Sequence, residues 1–403
     1  MWADLAPLGR HPGTGGYRRF AWTREDADLR EWFAGEVAAR GMELVDDRAG
    51  NLWAWWGDPD RDGPGVVLGS HLDSVPDGGA FDGPLGVVSA LAAVDALRAR
   101  GLRPARPLAV AVFGDEEGAR FGVACAGSRL LTGAMTPDRA RGLTDGDGVS
   151  MAEALTRAGR DPGHVGRDEE TLRRVGVFVE LHVEQGRGLD QLDRAVAVGT
   201  GIWPHGRWRI DLPGEANHAG TTALDDRHDP MVTFASVVLA ARGAAAWHDA
   251  LATCGKVAVV PNGVNAVPSA VTAWLDARAP RADAARAVVE EVAGVVEVHG
   301  GTVTVESWTD RTSFDAPLAA RLAALLGPPG SPAPRLATGA GHDAGILAAA
   351  GVPTAMLFVR NPTGVSHAPT EHAERADCHA GVAALAEVAA DLSGDLAAAE
   401  PAP

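Results

Sequence analysis

Lysine is almost absent from this chain: of 36 basic residues only Lys256 is a lysine, leaving 35 arginines. A phosphate-cradling P-loop needs its lysine directly after a glycine-rich loop and before Ser or Thr. Lys256, in Thr-Cys-Gly-Lys-Val, has neither, and it is also the sole residue that could form a Schiff base. At the head of the apolar run Val257–Val260 it reads as a strand-edge charge. Positive charge is in deficit overall, because 53 acidic residues leave a net charge of −17 and a pI near 5.2. A nucleic-acid-binding domain ordinarily shows a basic face or a pI above about 9. No window approaches the roughly 20 uninterrupted apolar residues of a membrane helix, and the N-terminus lacks the basic-then-apolar order of a signal peptide. The expectation is a cytoplasmic protein with neither nucleic-acid nor membrane partner. Cys125, Cys254 and Cys378 are few, odd in number and far apart, which fits neither a disulfide framework nor a thiolate zinc site. They read as buried or incidental thiols.

What is present describes a globular α/β protein. The 403 residues suffice for two or three domains, and 46% apolar with 22% charged residues is the ordinary globular balance. Six of the 11 tryptophans (Trp2, Trp22, Trp32, Trp53, Trp55 and Trp56) fall in the first 56 residues and are expected to pack an N-terminal helix or an oligomer contact. Low complexity is confined to Gly327–Pro334 and to an Ala/Pro tail from Ala397, which is expected to fray. Short apolar runs (Val66–Leu68, Leu108–Phe113, Val175–Leu181, Thr354–Val359) alternate with amphipathic stretches (Leu85–Arg100, Cys378–Leu392), the signature of a largely parallel sheet covered by helices. From about Gly199 to Ser307 the rhythm changes. Strands at Trp208–Leu212, Val257–Val260, Ala270–Arg278 and Val303–Trp308, with helices at Pro230–Gly243 and Ala282–His299, give the order β-α-β-β-α-β of a ferredoxin-like unit. The reading is a catalytic domain over residues 1–198 and 309–403, interrupted by a small α+β domain over 199–308.

The informative side chains lie where strands end, which is where an open α/β sheet binds its ligands. His71 and Asp73 close the run Val66–Leu68. Asp82 precedes the next helix, Glu116 and Glu117 follow Leu108–Phe113, His182 ends the third run, and His367 lies beyond the last. Singly each has a plainer reading, as a hydrogen-bonded histidine, an N-cap or a solvated turn. Recurrence at successive strand ends of one sheet brings three imidazoles and two carboxylates together, a donor set suited to zinc or a similar divalent ion.

These residues stand in six motifs: Gly69-Ser70-His71-Leu72-Asp73-Ser74, Gly79-Ala80-Phe81-Asp82-Gly83-Pro84-Leu85-Gly86, Asp115-Glu116-Glu117-Gly118, Glu180-Leu181-His182-Val183-Glu184-Gln185-Gly186, Asn217-His218-Ala219-Gly220-Thr221-Thr222 and Gly339-Ala340-Gly341-His342-Asp343-Ala344. In this order they resemble the N-carbamoyl-L-amino-acid hydrolase and allantoate amidohydrolase family, dinuclear metal enzymes related to aminoacylases and zinc exopeptidases. The resemblance runs from about Thr14 to the final helix. It implies a zinc-exopeptidase-like fold with a mixed, mostly parallel sheet and an inserted ferredoxin-like lid and dimerisation domain.

It also implies two divalent ions per subunit, zinc first, with manganese or cobalt as alternatives. Asp82 would bridge them, with His71 and His182 completing one site and Glu117 and His367 the other. Asp73 would orient His71, and Glu116 would be the general base that carries a proton from water to the leaving nitrogen. Arg278 matches the family's carboxylate anchor, a fork of donors suited to bidentate contact, although by itself it is equally a surface arginine ending a strand. Gln185, His218, Asn265, Gly341 and His342 match substrate-contacting or active-site-rim positions. Glu371 is open between a supporting carboxylate and a solvated one. The implied partners are a small amino-acid-derived substrate and a second copy of the chain, joined through the inserted domain. The stretch Gly201-Ile202-Trp203-Pro204-His205-Gly206-Arg207-Trp208 and Thr338 depart from the family pattern, which opens the choice of substrate. The implied reaction is hydrolysis of a linear C–N bond in an N-carbamoyl or ureido acid. The alternatives are deacylation of N-formyl or N-acetyl amino acids, dipeptide cleavage, and a metal-binding relative without catalysis.

Overall fold

The computed structural model describes residues 1–395; the tail from Ala397 lies outside the described residues. The chain divides into two compact units. One comprises residues 1–200, 313–336 and the chain from Gly341 onward; the other comprises residues 201–312 and 337–340. The divisions at 200/201 and 312/313 stand beside those expected at 198/199 and 308/309, and the short return at 337–340 was not foreseen.

The first unit is built on a mixed sheet. Its strands are β1 (Glu43–Asp46), β2 (Leu52–Trp56), β3 (Gly65–His71), β4 (Leu108–Phe113), β5 (Val175–Val183) and β6 (Val196–Ile202), with Thr354–Val359 inserted late in the chain. The spatial order is β1-β2-β4-β3-β5-(Thr354–Val359)-β6, with the short strands Thr312–Ser313 and Arg335–Thr338 also paired to β6. The pairs β4/β3, β3/β5 and β5/(Thr354–Val359) are parallel, and β2/β4 and (Thr354–Val359)/β6 are antiparallel. Every residue of β3, β4 and Thr354–Val359 is buried. That explains why these strands read as continuous apolar runs rather than alternating ones, since parallel strands are covered on both faces. Helices Pro84–Ala99 and Arg375–Ser393 pack on one another and on these strands. They supply Leu91, Val94, Leu97, Leu385 and Val388 to one continuous core. Because the central strands run the same way, β3, β4, β5 and Thr354–Val359 all deliver their C-terminal ends, and the loops that follow, to one edge of the sheet.

The second unit is a four-stranded antiparallel sheet in the order Thr302–Thr309, His205–Pro213, Ala270–Arg278, Leu251–Val260. Numbered along the chain these are strands four, one, three and two, the arrangement a β-α-β-β-α-β unit adopts. Strict alternation of burial along Ala270–Arg278 marks a sheet with one dry face. On that face Ile210, Leu212, Val271, Ala273 and Leu275 meet Val237, Ala241, Val292 and Val296 of helices Pro230–Trp247 and Ala282–Val298. Among the described residues one helix, Pro230–Trp247, is long and apolar enough to cross a membrane by length and composition, although Thr233, Ser236 and Arg242 interrupt its apolar run. It rests one face on the sheet and leaves Val232, Leu239 and Trp247 exposed.

Candidate metal centre

His71 closes β3 with its side chain fully buried. Its Nδ1 lies 3.2 Å from the carbonyl oxygen of Asp73 and 3.4 Å from the Asp73 carboxylate. Because a carbonyl only accepts, that nitrogen carries a proton, and although burial opposes the charge, Glu116, Asp73 and Asp82 hold the His71 pKa well above its usual value. His182, on β5, repeats the arrangement with Nδ1 donating to the Val183 carbonyl at 2.8 Å. Both Nε2 atoms are buried without a hydrogen-bond partner, and both face Oδ1 of Asp82, at 3.5 Å from His71 and 3.2 Å from His182. Asp82 reaches this point because Gly83 adopts φ +81°; a Cβ there would stand 2.4 Å from the His71 ring. Two buried imidazole nitrogens converging on one carboxylate are a donor set that a divalent cation satisfies.

The second oxygen of Asp82 looks the other way. It accepts from Gln185 Nε2 at 2.9 Å and Ser366 Oγ at 3.1 Å, and it lies 3.5 Å from His367 Nε2. His367 Nε2 is 3.6 Å from Glu117 Oε2. Two ligand groups therefore share Asp82, namely His71–Asp82–His182 and Asp82–Glu117–His367, each with its donor atoms within 4.8 Å of one another. A third, Glu180–His182–His342, meets the same criterion.

Asp73 does more than face His71. Its two oxygens accept the backbone N–H groups of Glu116 at 3.1 Å and Glu117 at 3.0 Å, fixing the turn after β4, where Asp115 takes φ +53°. Glu116 belongs to none of the ligand groups. One of its oxygens lies 3.9 Å from His71 Nε2; the other lies 3.7 Å from Cys125 Sγ and 3.9 Å from His342 Nδ1. Burial, together with Asp343 and Glu117, holds its pKa well above the usual carboxylate range against the pull of His71. Burial beside Asp82 pushes Glu117 up to about 8. For Asp82 burial acts the other way from its neighbours, and His182 and His71 prevail, holding it well below the usual range.

His342 and Asp343, expected at the rim of the site, are buried, at 3% and 0% exposure. The His342 ring centroid is 4.5 Å from that of His182, and burial with the His182 charge keeps it neutral. Asp343 opens a short helix and accepts from Ser128 Oγ in the interior. Gly341 is exposed. Ser366 and Cys125 were not expected at the site; their only signals are adjacency to His367 and a position nine residues after Glu116, respectively. Cys125 is buried, and Cys254 and Cys378 are half-buried.

The remaining residues expected to contact substrate belong to the second unit. Arg278 donates through Nε and Nη2 to Asp276 at 2.8 and 2.7 Å and through Nη1 to the Gly339 carbonyl at 2.8 Å. Two of its five N–H bonds are left over. His205, from the unusual stretch at 201–208, stands opposite Arg278 in register and donates from Nδ1 to the Trp203 carbonyl at 2.9 Å. Burial, with the Arg278 charge, holds its pKa below the usual value. His218 and Asn265 are exposed, and Asn265 accepts the Ala219 N–H at 3.0 Å, beside the ribbon in which His218 pairs with Ala266.

Comparison with known proteins agrees with this geometry. The chain is 34% identical over 392 residues to an N-carbamoyl-L-amino acid amidohydrolase of Geobacillus stearothermophilus, spanning 95% of this chain and 94% of the relative. It is 31% identical over 391 residues to an allantoate amidohydrolase of Escherichia coli, with 95% and 94% covered. Among solved structures, a hydantoinase/carbamoylase family amidase from Burkholderia vietnamiensis superposes with a TM-score of 0.86 at 29% identity, covering 97% of this chain and 95% of that one. Residues 67–391 match the model of peptidase family M20/M25/M40, whose enzymes use divalent metal ions, and the chain belongs to that family.

Proposed function

We propose that the protein is a metal-dependent amidohydrolase that cleaves the linear C–N bond of N-carbamoyl-L-amino acids or ureido acids such as allantoate. The observation that carries this reading is Glu116, a buried carboxylate outside every ligand group yet 3.9 Å from Nε2 of His71, which faces Asp82. A purely structural metal site has no use for such a residue. His71, Asp82 and His182 would hold one divalent ion and Asp82, Glu117 and His367 a second, with zinc, manganese or cobalt suiting the nitrogen and oxygen donors. When bound, the ions supply Lewis acidity to the scissile carbonyl and to water.

The chain's own residues do the rest. Asp73 fixes the Glu116–Glu117 peptide and the His71 ring. Glu116 accepts the proton of the attacking water and delivers it to the leaving nitrogen as the C–N bond breaks. Arg278 of the second unit, already braced by Asp276, offers its spare N–H pair to the substrate carboxylate, with His218 and Asn265 as further contacts. The names of the carbamoylase and allantoate relatives support the substrate class. The second unit acts as the lid and as the surface that pairs two copies.

A screen over N-carbamoyl, ureido, N-formyl and N-acetyl acids and dipeptides, read as released ammonia for the first two classes and as newly freed amino groups for the others, tests the reading. Release from the first two classes, lost on chelation and restored by zinc, manganese or cobalt, is expected. Turnover confined to formyl, acetyl or peptide substrates would replace it, and activity in metal-free protein would end the mechanism.

A further inference from the structure

Glu371 follows His367 by four residues, on a loop where a carboxylate would ordinarily be solvated. It is instead 5% exposed. A single oxygen, Oε1, accepts the backbone N–H groups of Phe81 and Asp82, both at 2.9 Å. The other oxygen lies 3.5 Å from Ser366 Oγ, and that hydroxyl donates to Asp82 at 3.1 Å. The Glu371 N–H closes the turn back to the Ala368 carbonyl at 3.0 Å. The loop opposite is shaped to receive the carboxylate. A Cβ at Gly79 would stand 2.4 Å from Glu371 Oε1 and 2.5 Å from its Cβ. Phe81 is held in addition between the rings of Trp2 and His372, at 5.3 and 6.1 Å. One side chain thus ties the segment carrying Asp82 to the segment carrying His367, whose Nε2 lies 3.5 Å from Asp82 Oδ2.

We propose that Glu371 is a positioning residue for the metal pair: by accepting two consecutive N–H groups of the Asp82 loop, it sets the placement of the shared carboxylate against His367. This rests on the reading of Asp82 and His367 as ligands. Two donors on one oxygen make the requirement one of acceptor geometry, so a glutamine oxygen can replace the carboxylate while alanine cannot. Partners behind metal ligands typically change metal affinity by about 10- to 100-fold when removed.

The test is calorimetric titration of chelator-stripped full-length protein with Zn²⁺ or Mn²⁺, alongside thermal unfolding of the metal-free protein. Wild type is expected to bind two ions. E371A should lose about 10- to 100-fold in affinity for at least one of them, and its kcat should recover as metal concentration is raised. E371Q should stay within about threefold of wild type in both respects. Gly79→Ala keeps the carboxylate but intrudes on its seat, so it should weaken the same ion and serves if E371A fails to fold. Wild-type affinity in both E371A and Gly79→Ala, with only the melting temperature lowered, would reduce Glu371 to a structural tie and overturn the proposal. So would an E371Q loss equal to that of E371A. A wild-type protein that takes up no pair of ions would instead overturn the metal centre beneath it.

Discussion

A histidine at a strand end is ready to bind a cation only when one ring nitrogen is already occupied. Backbone carbonyls occupy Nδ1 in both His71 and His182, which fixes the tautomer and aims Nε2 at Asp82. Glu116 differs in kind, because it has no such constraint and lies among groups that leave its carboxylate free to take a proton. Glu116→Gln is expected to retain metal, measured by elemental analysis, and to lower kcat by about 10²- to 10⁴-fold, the usual worth of a general base. Near-normal turnover would transfer the role elsewhere. Arg278→Ala removes a charged hydrogen-bond partner worth roughly 1.5–3 kcal/mol, so KM for carboxylate substrates should rise by about 10- to 100-fold with kcat little changed. An unchanged KM would place the anchor at another residue. At this scale the sequence was legible wherever the residue type and a strand end coincided, as at His71, Asp82, Glu116 and Glu117. Glu371 was not, because its burial depends on Phe81 and Asp82, some 290 residues earlier in the chain.

Elements carried a different signal. Strands buried on both faces announce themselves as apolar runs, and for that reason Leu108–Phe113 and Thr354–Val359 have the same bounds in sequence and structure. Leu251–Val260 was shortened to its last four residues, since an edge strand with alternating exposed side chains, including Lys256 over the Trp274 ring at 4.2 Å, lacks the continuous run. Pro230–Trp247 was expected only as far as Gly243, yet the helix continues through Ala244, Ala245 and Ala246 to Trp247. The turn between β3 and the helix that follows it is the most demanding element. Gly83 there combines a left-handed φ with direct contact to the His71 ring. Gly83→Ala should cost about 1–2 kcal/mol from the backbone alone, read as a lower urea midpoint. Because His71 or Asp82 must also shift, metal occupancy should fall in the protein that remains folded. A substitution that changed neither would mean that the turn tolerates a side chain.

For the whole molecule, the charge of −17 and the apolar outer face of the second unit pull in opposite directions. Net charge disfavours association of like copies, whereas Val232, Leu239 and Trp247 recur along one stripe of helix Pro230–Trp247 and are 67%, 72% and 84% exposed. Leu251 and Val260, also exposed, belong to the adjoining edge strand Leu251–Val260, which has a sheet neighbour on one side only. A long edge strand beside an apolar helix face invites pairing with another chain. A two-fold interface would place the same stripe on both copies, leaving the acidic surface outside. The protein is therefore expected to sediment at twice its 41.5 kDa chain mass. Leu239→Glu with Trp247→Glu should place four like charges in that interface and shift the species to monomer. Neither residue packs in the core of the second unit, so far-UV circular dichroism and the thermal midpoint of the dissociated chain report whether the fold survives. A double variant that remains dimeric would move the interface away from this helix, and a monomeric wild type would leave the stripe without a partner of its own kind.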